Sequence, residues 1–434
     1  CTTRVQILDL LVFLPDHGED VASVLARHGH LAPPLAIAEK KVLRVLHRIG
    51  SDPRDWPSAL KDLSTINVPK SMAPVVTRLL LRLLQLNHEG AAGDNVYDCL
   101  ASQATGTQAL RALCRRWSEE GHPERWLRLL RGMERMGISG DKEVLSSLVK
   151  RLGDDSLKED FRLSIWRLLC LQAPDEFVET HLGLRSRRTH QGALLRWVPS
   201  GDTEVAGRRY QVAGFWAADF PVAQWMEFEQ ERSSLLSSDS PDPVDYLACI
   251  KAGVTALSLP ELPVVEIAWH HAAAYCRWLT RREREAGRLD DGLAYRLPTE
   301  VEWQRMAEGR TLNLEWAAAV RIPVQLTCRN AQLTDGTVQR GCYPPNALGL
   351  FDLLGNVWEW CANEHGFFDL QQQASSQSYR LRALRGGAWR SPPEACHVHL
   401  RAGWSPTACL DHIGLRIVLA PEMDKAAHSA RNAQ

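Results

Sequence analysis

The sequence predicts an α+β protein in which an all-helical first half is followed by a mixed domain rich in irregular structure. Apolar residues recur at spacings of three and four through almost all of the first 183 positions. Near residue 190 the pattern changes to short strand-like runs separated by turn residues. Tryptophan divides in the same way, because four of the 15 tryptophans precede residue 185 and eleven follow it. We therefore expect two segments of different architecture.

The first segment, residues 1–185, is predicted to be an all-helical bundle or a short array of helical repeats. Leucines crowd positions 79–86, and Trp126, Leu130 and Met133 recur at helical spacing. Glycine, proline and aspartate interrupt the pattern, which gives helices of roughly 10 to 18 residues. No repeat period is clear enough to name a family. We expect this segment to make protein–protein contacts.

The second segment, residues 186–420, is predicted to contain short strands near 193–199, 210–216 and 414–420. Two short helices are expected, one over residues 222–231 and one over 269–285. Long turn-rich stretches follow residue 309, so something other than regular secondary structure must hold the loops. Residues 421–434 form a polar, alanine-rich tail that is expected to fray.

Composition excludes several classes of protein. With 434 residues, 45% of them hydrophobic and 24% charged, the chain can bury a sizeable core, which excludes intrinsic disorder and collagen. The 51 basic and 52 acidic residues give a net charge of -1 and no global reason to expect nucleic acid as the main partner, although a local basic patch remains possible. No apolar run approaches the roughly 18 to 20 residues that span a bilayer, so no membrane partner is expected.

The 11 cysteines favour a reducing, cytoplasmic location. They include no CxxC pair, and several lie in apolar helical patterns where a buried thiol acts as a small hydrophobe, among them Cys99, Cys170 and Cys276. The sequence begins at Cys1, as mature bacterial lipoproteins do, but residues 2–14 have the pattern of an amphipathic helix and not of a polar tether. A processed chain or a fragment is the other interpretation of Cys1.

Four stretches of the second segment together resemble the formylglycine-generating enzyme family, the sulfatase-modifying factors, whose domain is a variant of the C-type lectin fold. They are PVVEIAWHHAAAYCRWL at 263–279, YRLPTEVEWQRMAEG at 295–309, PNALGLFDLLGNVWEW at 345–360, and LRGGAW at 384–389 with IGLR at 413–416. They occur in the family's order and approximate spacing. The resemblance implies a C-type-lectin-like fold for residues 186–420.

The second of these stretches also has a local explanation. Thr299 is suited to cap a helix, and Glu302 three positions later completes a capping box. Trp303 then falls on the buried side of that helix. We expect Arg296, Glu300 and Glu302 to form structural ion pairs and not to act in catalysis.

The third stretch corresponds to a metal site in the family that it resembles. There the segment binds a structural Ca²⁺ through two side-chain oxygens and two backbone carbonyls. By position these are the side chains of Asp352 and Glu359 and the carbonyls of Gly355 and Val357. Two carboxylates and hard oxygen ligands suit the charge of Ca²⁺. The alternative is that Asp352 and Glu359 are salt-bridged or solvated.

The resemblance also bears on copper. The family's enzymes bind Cu(I) through two cysteines five positions apart after the Arg-Gly-Gly motif and oxidise a substrate cysteine with O₂. Soft copper prefers thiolates, but here the first position is Ser391 and only the second is a cysteine, Cys396. We therefore expect no copper and no catalytic residue. Cys409, folding back as a replacement thiol, is the alternative.

A related group, the ergothioneine-pathway sulfoxide synthases, joins this domain to a helical bundle whose histidines hold non-haem iron. Their ligands follow a His-x-x-x-His-x-Glu pattern, and no such spacing occurs among the histidines of residues 1–185. These histidines are expected at the surface or in loops.

Residues 389–413 also resemble the variable region of diversity-generating retroelement proteins, in which the same fold presents a ligand-facing surface. The resemblance implies contact positions between scaffold motifs. Trp404 is the expected hot spot, because aromatic anchors dominate binding surfaces. The alternative is an ordinary protein surface. The predicted ligand-binding residues are Arg390, Ser391, His397, Leu400, Trp404, Asp411 and His412.

The predicted function is a non-catalytic ligand- or protein-binding module in a bacterial signalling, defence or diversity-generating system. Two alternatives stay open. One is a copper-dependent oxidase that converts a substrate cysteine to formylglycine, or another enzyme of that type. The other is a purely structural scaffold.

Overall fold

The computed structural model describes residues 37–51, 56–70, 72–86, 91–120, 123–154, 157–223, 225–235, 262–309, 336–339, 341–365, 381–392 and 395–422. The chain divides into two compact units, Cys1–Phe161 and Arg162–Gln434. In the described residues the first unit is helical and the second is mixed, which confirms the predicted α+β class. The helix expected at residues 2–14 and nearly all of the predicted tail lie outside the described residues.

The helices of the first unit pack in two layers. Helices α3, α5 and α7 lie side by side in one layer, and α2, α4 and α6 lie side by side in the other. Neighbours in sequence, such as α3 and α4, pack across the layers. This packing resembles the stacked helix pairs of repeat proteins, although a sequence repeat stays a prediction. The helices are α1 Ile37–Ser51, α2 Trp56–Thr65, α3 Ala73–Leu86, α4 Ala91–Gln103, α5 Thr107–Glu119, α6 Pro123–Met136 and α7 Lys142–Leu152.

The core of the first unit contains an aromatic stack and a close helix contact. Trp117 and Trp126 are buried with ring centroids 5.0 Å apart, and Phe161 stacks on Trp126 at 4.4 Å. Gly132 of α6 packs against Ala101 of α4 so closely that a Cβ on Gly132 would lie 2.6 Å from the Ala101 Cα. Helices α4 and α6 can approach this closely only because position 132 has no side chain.

The second unit contains two sheets, a hairpin and several helices. Helix α8 Glu159–Gln172 spans the division between the units, whereas the sequence predicts a boundary at residue 185, where the strands begin. The other helices are α9 Asp175–Leu182, α10 Met226–Leu235, α11 Trp269–Glu285 and α12 Glu300–Glu308. The strands are β1 Ser186–Arg188, β2 Leu194–Val198, β3 Gly201–Val205, β4 Arg208–Val212, β5 Phe215–Ala218, β6 Leu293–Arg296, β7 Trp358–Glu364, β8 Arg382–Arg385, β9 Arg401–Trp404, β10 Ile413–Gly414 and β11 Val418–Pro421.

Sheet topology brings distant parts of the sequence together. The five-stranded sheet has the order β1-β2-β5-β11-β6, and its strand pairs are antiparallel. The four-stranded sheet has the order β10-β7-β8-β9, with β10 parallel to β7 and the other pairs antiparallel. Strands β3 and β4 form a separate hairpin. Helix α11 packs against β6, and α12 contacts β3, β4, β7 and β8.

Three predicted elements differ from the structure, and the helix at 269–285 is confirmed. The segment predicted as one strand at 210–216 contains parts of two strands, β4 and β5. The extended pairing is interrupted at Gly214, where a Cβ would lie 2.3 Å from the Trp197 ring. The helix predicted from residue 222 begins at Met226, because the Val222 amide donates to the Leu415 carbonyl. The strand predicted at 414–420 is also divided, and Arg416 lies between its two parts. No helix in the described part of the chain is long and apolar enough to cross a membrane.

We predict that Gly132→Ala destabilises the first unit. An alanine in a helix interior normally stabilises it by about 0.5–1 kcal/mol relative to glycine, but here the new methyl overlaps the Ala101 backbone. The free energy of unfolding should fall by about 1–3 kcal/mol in a urea titration. Gly140→Ala is the control, because nothing lies within 4 Å of a Cβ at Gly140. Equal stability of the two variants would contradict the close packing of α4 and α6.

Candidate functional site

Helix α12 begins at the capping box that the sequence predicts. The Thr299 hydroxyl accepts a hydrogen bond from the Glu302 amide, and the Glu302 carboxylate accepts one from the Thr299 amide at 2.8 Å. Arg296 binds the same carboxylate through two hydrogen bonds of 2.7 Å. Burial acts to raise the pKa of Glu302, but Arg296 and Thr299 outweigh it and hold the pKa below its ordinary value. These residues anchor the helix, as expected.

A second buried carboxylate, Glu300, connects α12 to the four-stranded sheet. Arg401 of β9 donates two hydrogen bonds to it, at 2.9 and 2.8 Å. Arg385 of β8 lies 3.7 Å from the same carboxylate and stacks over the Trp303 ring. The edge strand β9 is therefore tied to the helix by a buried, charge-assisted contact.

A fully buried ion pair in the second unit joins Glu359 of β7 to Arg416. Both side chains are fully buried, and Arg416 donates to the carboxylate from Nε at 3.0 Å and from Nη2 at 2.8 Å. The Trp303 indole donates to the other carboxylate oxygen at 2.7 Å. Arg416 also donates to the backbone carbonyls of Ala218 and Phe351. Breaking a buried pair of this kind by removing one partner typically costs about 3–5 kcal/mol.

The side chain of Asp352 has a different environment. It is 1% exposed, and neither carboxylate oxygen has a hydrogen-bond donor in bonding geometry among the described residues. The Gly341 amide and the Asn356 side chain face it. Burial raises the pKa of Asp352 to about 7, against the opposing effect of the Arg416 cation. Its backbone φ of 53° lies in the left-handed region, as does that of Asn356, which binds the backbone of Val338.

The four predicted Ca²⁺ ligands are close in sequence, but the two carboxylates among them differ in their hydrogen-bond and ion-pair partners. The buried carboxylate of Asp352 forms no ion pair with any described residue and faces the Gly341 amide and the Asn356 side chain. Both oxygens of Glu359 already accept hydrogen bonds from Arg416 or Trp303. No group of three or more His, Cys, Asp or Glu side chains in the described residues forms a metal cluster. Of the two predicted carboxylate ligands, Glu359 therefore serves the protein frame, and only Asp352 is outside an ion pair with the described residues.

The two positions that correspond to copper ligands lie beside the same backbone residue. Ser391 accepts a hydrogen bond from the Ala388 amide at 3.0 Å. Cys396 is buried, and its Sγ lies 3.9 Å from the Ala388 carbonyl oxygen. Ser391 is 9% exposed, so its predicted place among the surface residues is wrong. Its hydroxyl is turned inward because the turn after Trp389 needs a local acceptor for the Ala388 amide.

Three of the predicted ligand-binding residues form one surface cluster. Arg390 donates to the Asp411 carboxylate at 2.5 Å, and His412 Nδ1 lies 2.9 Å from the other oxygen of Asp411. The Arg390 guanidinium stacks over Trp389 at 4.5 Å. The side chains of Arg390 and Asp411 are about half exposed. This cluster presents both signs of charge beside an aromatic ring.

The other predicted surface residues lie in β9 or the turn before it. His397 accepts a hydrogen bond from the His399 amide, and the Leu400 amide donates to the His397 carbonyl. Trp404 ends β9 and is 47% exposed. These contacts do not link His397 or Leu400 to the Arg390 cluster.

Sequence reasoning missed the neighbours of Trp404. Leu381, at 38%, is the other large apolar side chain that is exposed in the described residues, and it precedes Arg382, which is opposite Trp404 in the β8–β9 ladder. Arg382 stacks on the Trp269 ring at 3.8 Å. The alternating pattern of residues 382–385 is a weak signal for this strand, and its pairing with β9 cannot be read from it.

Comparison with known proteins identifies the family. Residues 172–421 match the Sulfatase-modifying factor enzyme 1-like domain. This match covers more than half of the chain, so the chain belongs to that family. The match to the family therefore begins at the last residue of α8 and continues to the end of β11.

Curated relatives of this domain differ in what their names say. A formylglycine-generating enzyme of Mycobacterium tuberculosis is 33% identical over 186 residues, which are 37% of this chain and 58% of that protein. Inactive C-alpha-formylglycine-generating enzyme 2 of Mus musculus is 31% identical over 176 residues, 36% of this chain and 48% of that protein. Serine/threonine-protein kinase pkn1 of Chlamydia pneumoniae is 34% identical over 136 residues, 30% of this chain and 19% of that protein. The chain thus spans between 19% and 58% of the length of these relatives.

Solved structures are similar to about half of the chain at low sequence identity. Treponema denticola variable protein 1 is 18% identical with a TM-score of 0.37, covering 55% of this chain and 99% of that one. PvdO from Pseudomonas aeruginosa is 18% identical with a TM-score of 0.37, covering 54% of this chain and 97% of that one.

Proposed function

We propose that this chain is a non-catalytic binding module of the sulfatase-modifying factor family, in a bacterial signalling, defence or diversity-generating system. The proposal rests on the presence of a serine at position 391. The Ser391 hydroxyl is buried and already accepts a hydrogen bond from the Ala388 amide. A neutral hydroxyl is a poor ligand for soft Cu(I), so Cys396 would have to bind the metal without the thiol that the family's enzymes place there. One of the two thiols that would hold copper for the oxidation is therefore absent.

The surface around Trp404 supports the binding part of the proposal. Trp404 and Leu381 are exposed at one corner of the four-stranded sheet, and aromatic side chains commonly act as anchors in protein interfaces. The Arg390, Asp411 and His412 cluster adds charged groups in the same segment of sequence. Exposed apolar anchors and a charged cluster in the same segment of sequence suit recognition of a protein or peptide ligand.

The named relatives leave room for the alternative. The mouse relative is named as inactive, which is consistent with a binding role, whereas the mycobacterial relative is named as an enzyme. Copper-dependent oxidation of a substrate cysteine, or a related enzymatic activity, is the second candidate because Cys396 stands at the matching position. The eight described cysteines are all free thiols, and we propose a reducing, cytoplasmic setting.

We predict that the purified protein binds no stoichiometric Cu(I), whereas Ser391→Cys binds about one equivalent per chain. The substitution replaces a hydroxyl by a thiol of similar shape and completes the pair with Cys396. The measurement is competition for Cu(I) with a chromophoric chelator under anaerobic, reducing conditions.

The double variant Ser391→Cys with Cys396→Ser is the matched control and should lose the gained copper. Stoichiometric copper in the unmodified protein, lost on Cys396→Ser, would overturn the non-catalytic proposal and favour the oxidase.

We predict that Trp404→Ala loses the protein partners that the unmodified chain captures from a native cytoplasmic extract. The melting temperature should stay nearly unchanged, because about half of this side chain is exposed. Captured proteins are identified by mass spectrometry and compared with those of Arg209→Ala, an exposed site in the β3–β4 hairpin. An unchanged set of partners with Trp404→Ala would reject the proposed surface.

We also propose a structural Ca²⁺ held by the carboxylate of Asp352 and the carbonyls of Gly355 and Val357, with Glu359 at most sharing an oxygen. Its expected role is to satisfy a buried carboxylate and to fix the loop that precedes β7. The substitution Asp352→Asn keeps the shape of the side chain and removes its charge.

Ca²⁺ should stabilise the unmodified protein, by about 2.7 kcal/mol when its concentration is 100 times the Kd. Asp352→Asn should respond little, because the charged ligand is gone. The measurement is thermal unfolding in chelator and in Ca²⁺, and Asp411→Asn, at an exposed carboxylate, should respond like the unmodified protein. A melting temperature of the unmodified chain that ignores Ca²⁺ would remove the ion from this site.

A further inference from the structure

One layer of the helical unit exposes a row of basic side chains. Each of its three adjacent helices, α3, α5 and α7, contributes two of them on the side that faces solvent. Helix α1 also exposes Lys41 and Arg44. We name the six residues of the three adjacent helices the basic face: Arg78, Arg82, Arg111, Arg115, Lys142 and Lys150.

These six positions lie on one side of the layer. Residues four or eight apart share a face of an α-helix, and each pair has one of these spacings. The buried residues of α5 and α7, such as Leu113 and Leu148, occupy the opposite faces. Packed helices lie about 8–10 Å apart, so the three exposed faces join into one continuous surface.

The charge of the basic face is only partly balanced. Arg111 is paired with Asp141 at 2.6 Å and lies 3.4 Å from Glu143. Arg115, Lys142 and Lys150 form no ion pair with any described residue. Exposed Glu119 and Glu143 are the carboxylates on the same helix faces. An excess of cations therefore remains on this surface.

The other layer of the unit is different in this respect. There Asp94 pairs with Arg116 of α5 and with Arg125, and Asp98 pairs with Arg128. Helices α2, α4 and α6 contain five basic and five acidic residues, whereas α3, α5 and α7 contain eight basic and two acidic ones. Of the two layers, that of α3, α5 and α7 therefore carries the excess of positive charge.

The surroundings of the basic face select the kind of partner. The large apolar side chains that are exposed among the described residues, Leu381 and Trp404, are both outside the helical unit. Protein interfaces usually need aromatic or aliphatic anchors, and interfacial helices insert apolar side chains into lipid. Single-stranded nucleic acid is commonly held by stacking of bases on exposed aromatic rings. A duplex needs only cations placed along its phosphates.

We infer that the basic face binds the phosphate backbone of a nucleic-acid duplex without reading its sequence. This binding is separate from the proposed role of the Trp404 surface and needs no residue of that surface. The net charge of -1 does not oppose it, because exposed charges more than about 8 Å apart are screened at physiological ionic strength. A duplex in contact with the basic face senses its local charge.

The test uses the full chain and a fluorescent DNA duplex of about 20 base pairs, with an RNA duplex of the same sequence as a second arm. Binding is followed by fluorescence anisotropy between about 50 and 200 mM salt. The unmodified chain should bind both duplexes, and its affinity should fall steeply with salt. If all six cations contact phosphates, the slope of log K against log salt is about -5.

Charge reversal on the basic face supplies the decisive comparison. The variant Arg115→Glu/Lys142→Glu/Lys150→Glu should bind at least about tenfold more weakly and lose about 3 from the salt slope. The matched control, Lys61→Glu/Lys70→Glu/Arg131→Glu, changes the net charge equally at exposed positions away from the basic face. It should keep the slope of the unmodified chain. Circular dichroism checks folding, and the corresponding alanine variants replace any glutamate variant that does not fold.

Several results would overturn the inference. Absence of duplex binding at about 50 mM salt would do so, as would an equal loss of affinity in the two charge-reversal variants. Binding of polyglutamate or of phosphatidylserine vesicles that depends on the same three residues, at an affinity equal to or above that for duplexes, would assign the surface to an acidic protein or a membrane.

Discussion

The second unit depends on one buried ion pair, that of Glu359 and Arg416. A guanidinium has five N–H donors and no acceptor, and in a dry core each donor needs a partner. Arg416 directs its donors to Glu359, to the Ala218 carbonyl of β5 and to the Phe351 carbonyl. One side chain therefore fixes the distance between the two sheets and the loop before β7. A fold with such short strands and long connections needs a cross-link of this kind.

The buried pair of Glu359 and Arg416 does not include the turn after β8, where Ser391 and Cys396 lie. Ser391 and Cys396 both contact Ala388, and a hydroxyl satisfies the Ala388 amide as well as any acceptor of its size. A thiol can thus be absent from position 391 while the turn keeps its hydrogen bond. The catalytic metal site and the fold are separable, which is why membership of the family does not by itself establish oxidation.

Features of the site that are local in sequence are predictable, and those that join distant residues are not. The capping box of Thr299 and Glu302 was expected because its two partners lie three residues apart. The pairing of Glu359 with Arg416 spans 57 positions, and only the resemblance to a family marked Glu359 at all. Burial of Ser391 escaped prediction for a related reason, since a serine in a polar loop has no pattern that separates an inward from an outward hydroxyl. The ends of β4 and β5 are not predictable from the local pattern, because a tertiary contact at Gly214 separates the two strands.

The distribution of charge over the surface is likewise not predictable from the composition of the sequence. The net charge of the 434 residues is -1 and does not favour a polyanion as partner. The ion pairs, however, show which charges are neutralised locally. In the layer of α4 and α6, carboxylates and arginines neutralise one another across helices. In the layer of α3, α5 and α7, Lys142 and Lys150 face solvent and form no ion pair with the residues that the structure describes. Since a binding surface interacts over little more than a Debye length, recognition follows the placement of unpaired charge and not its total.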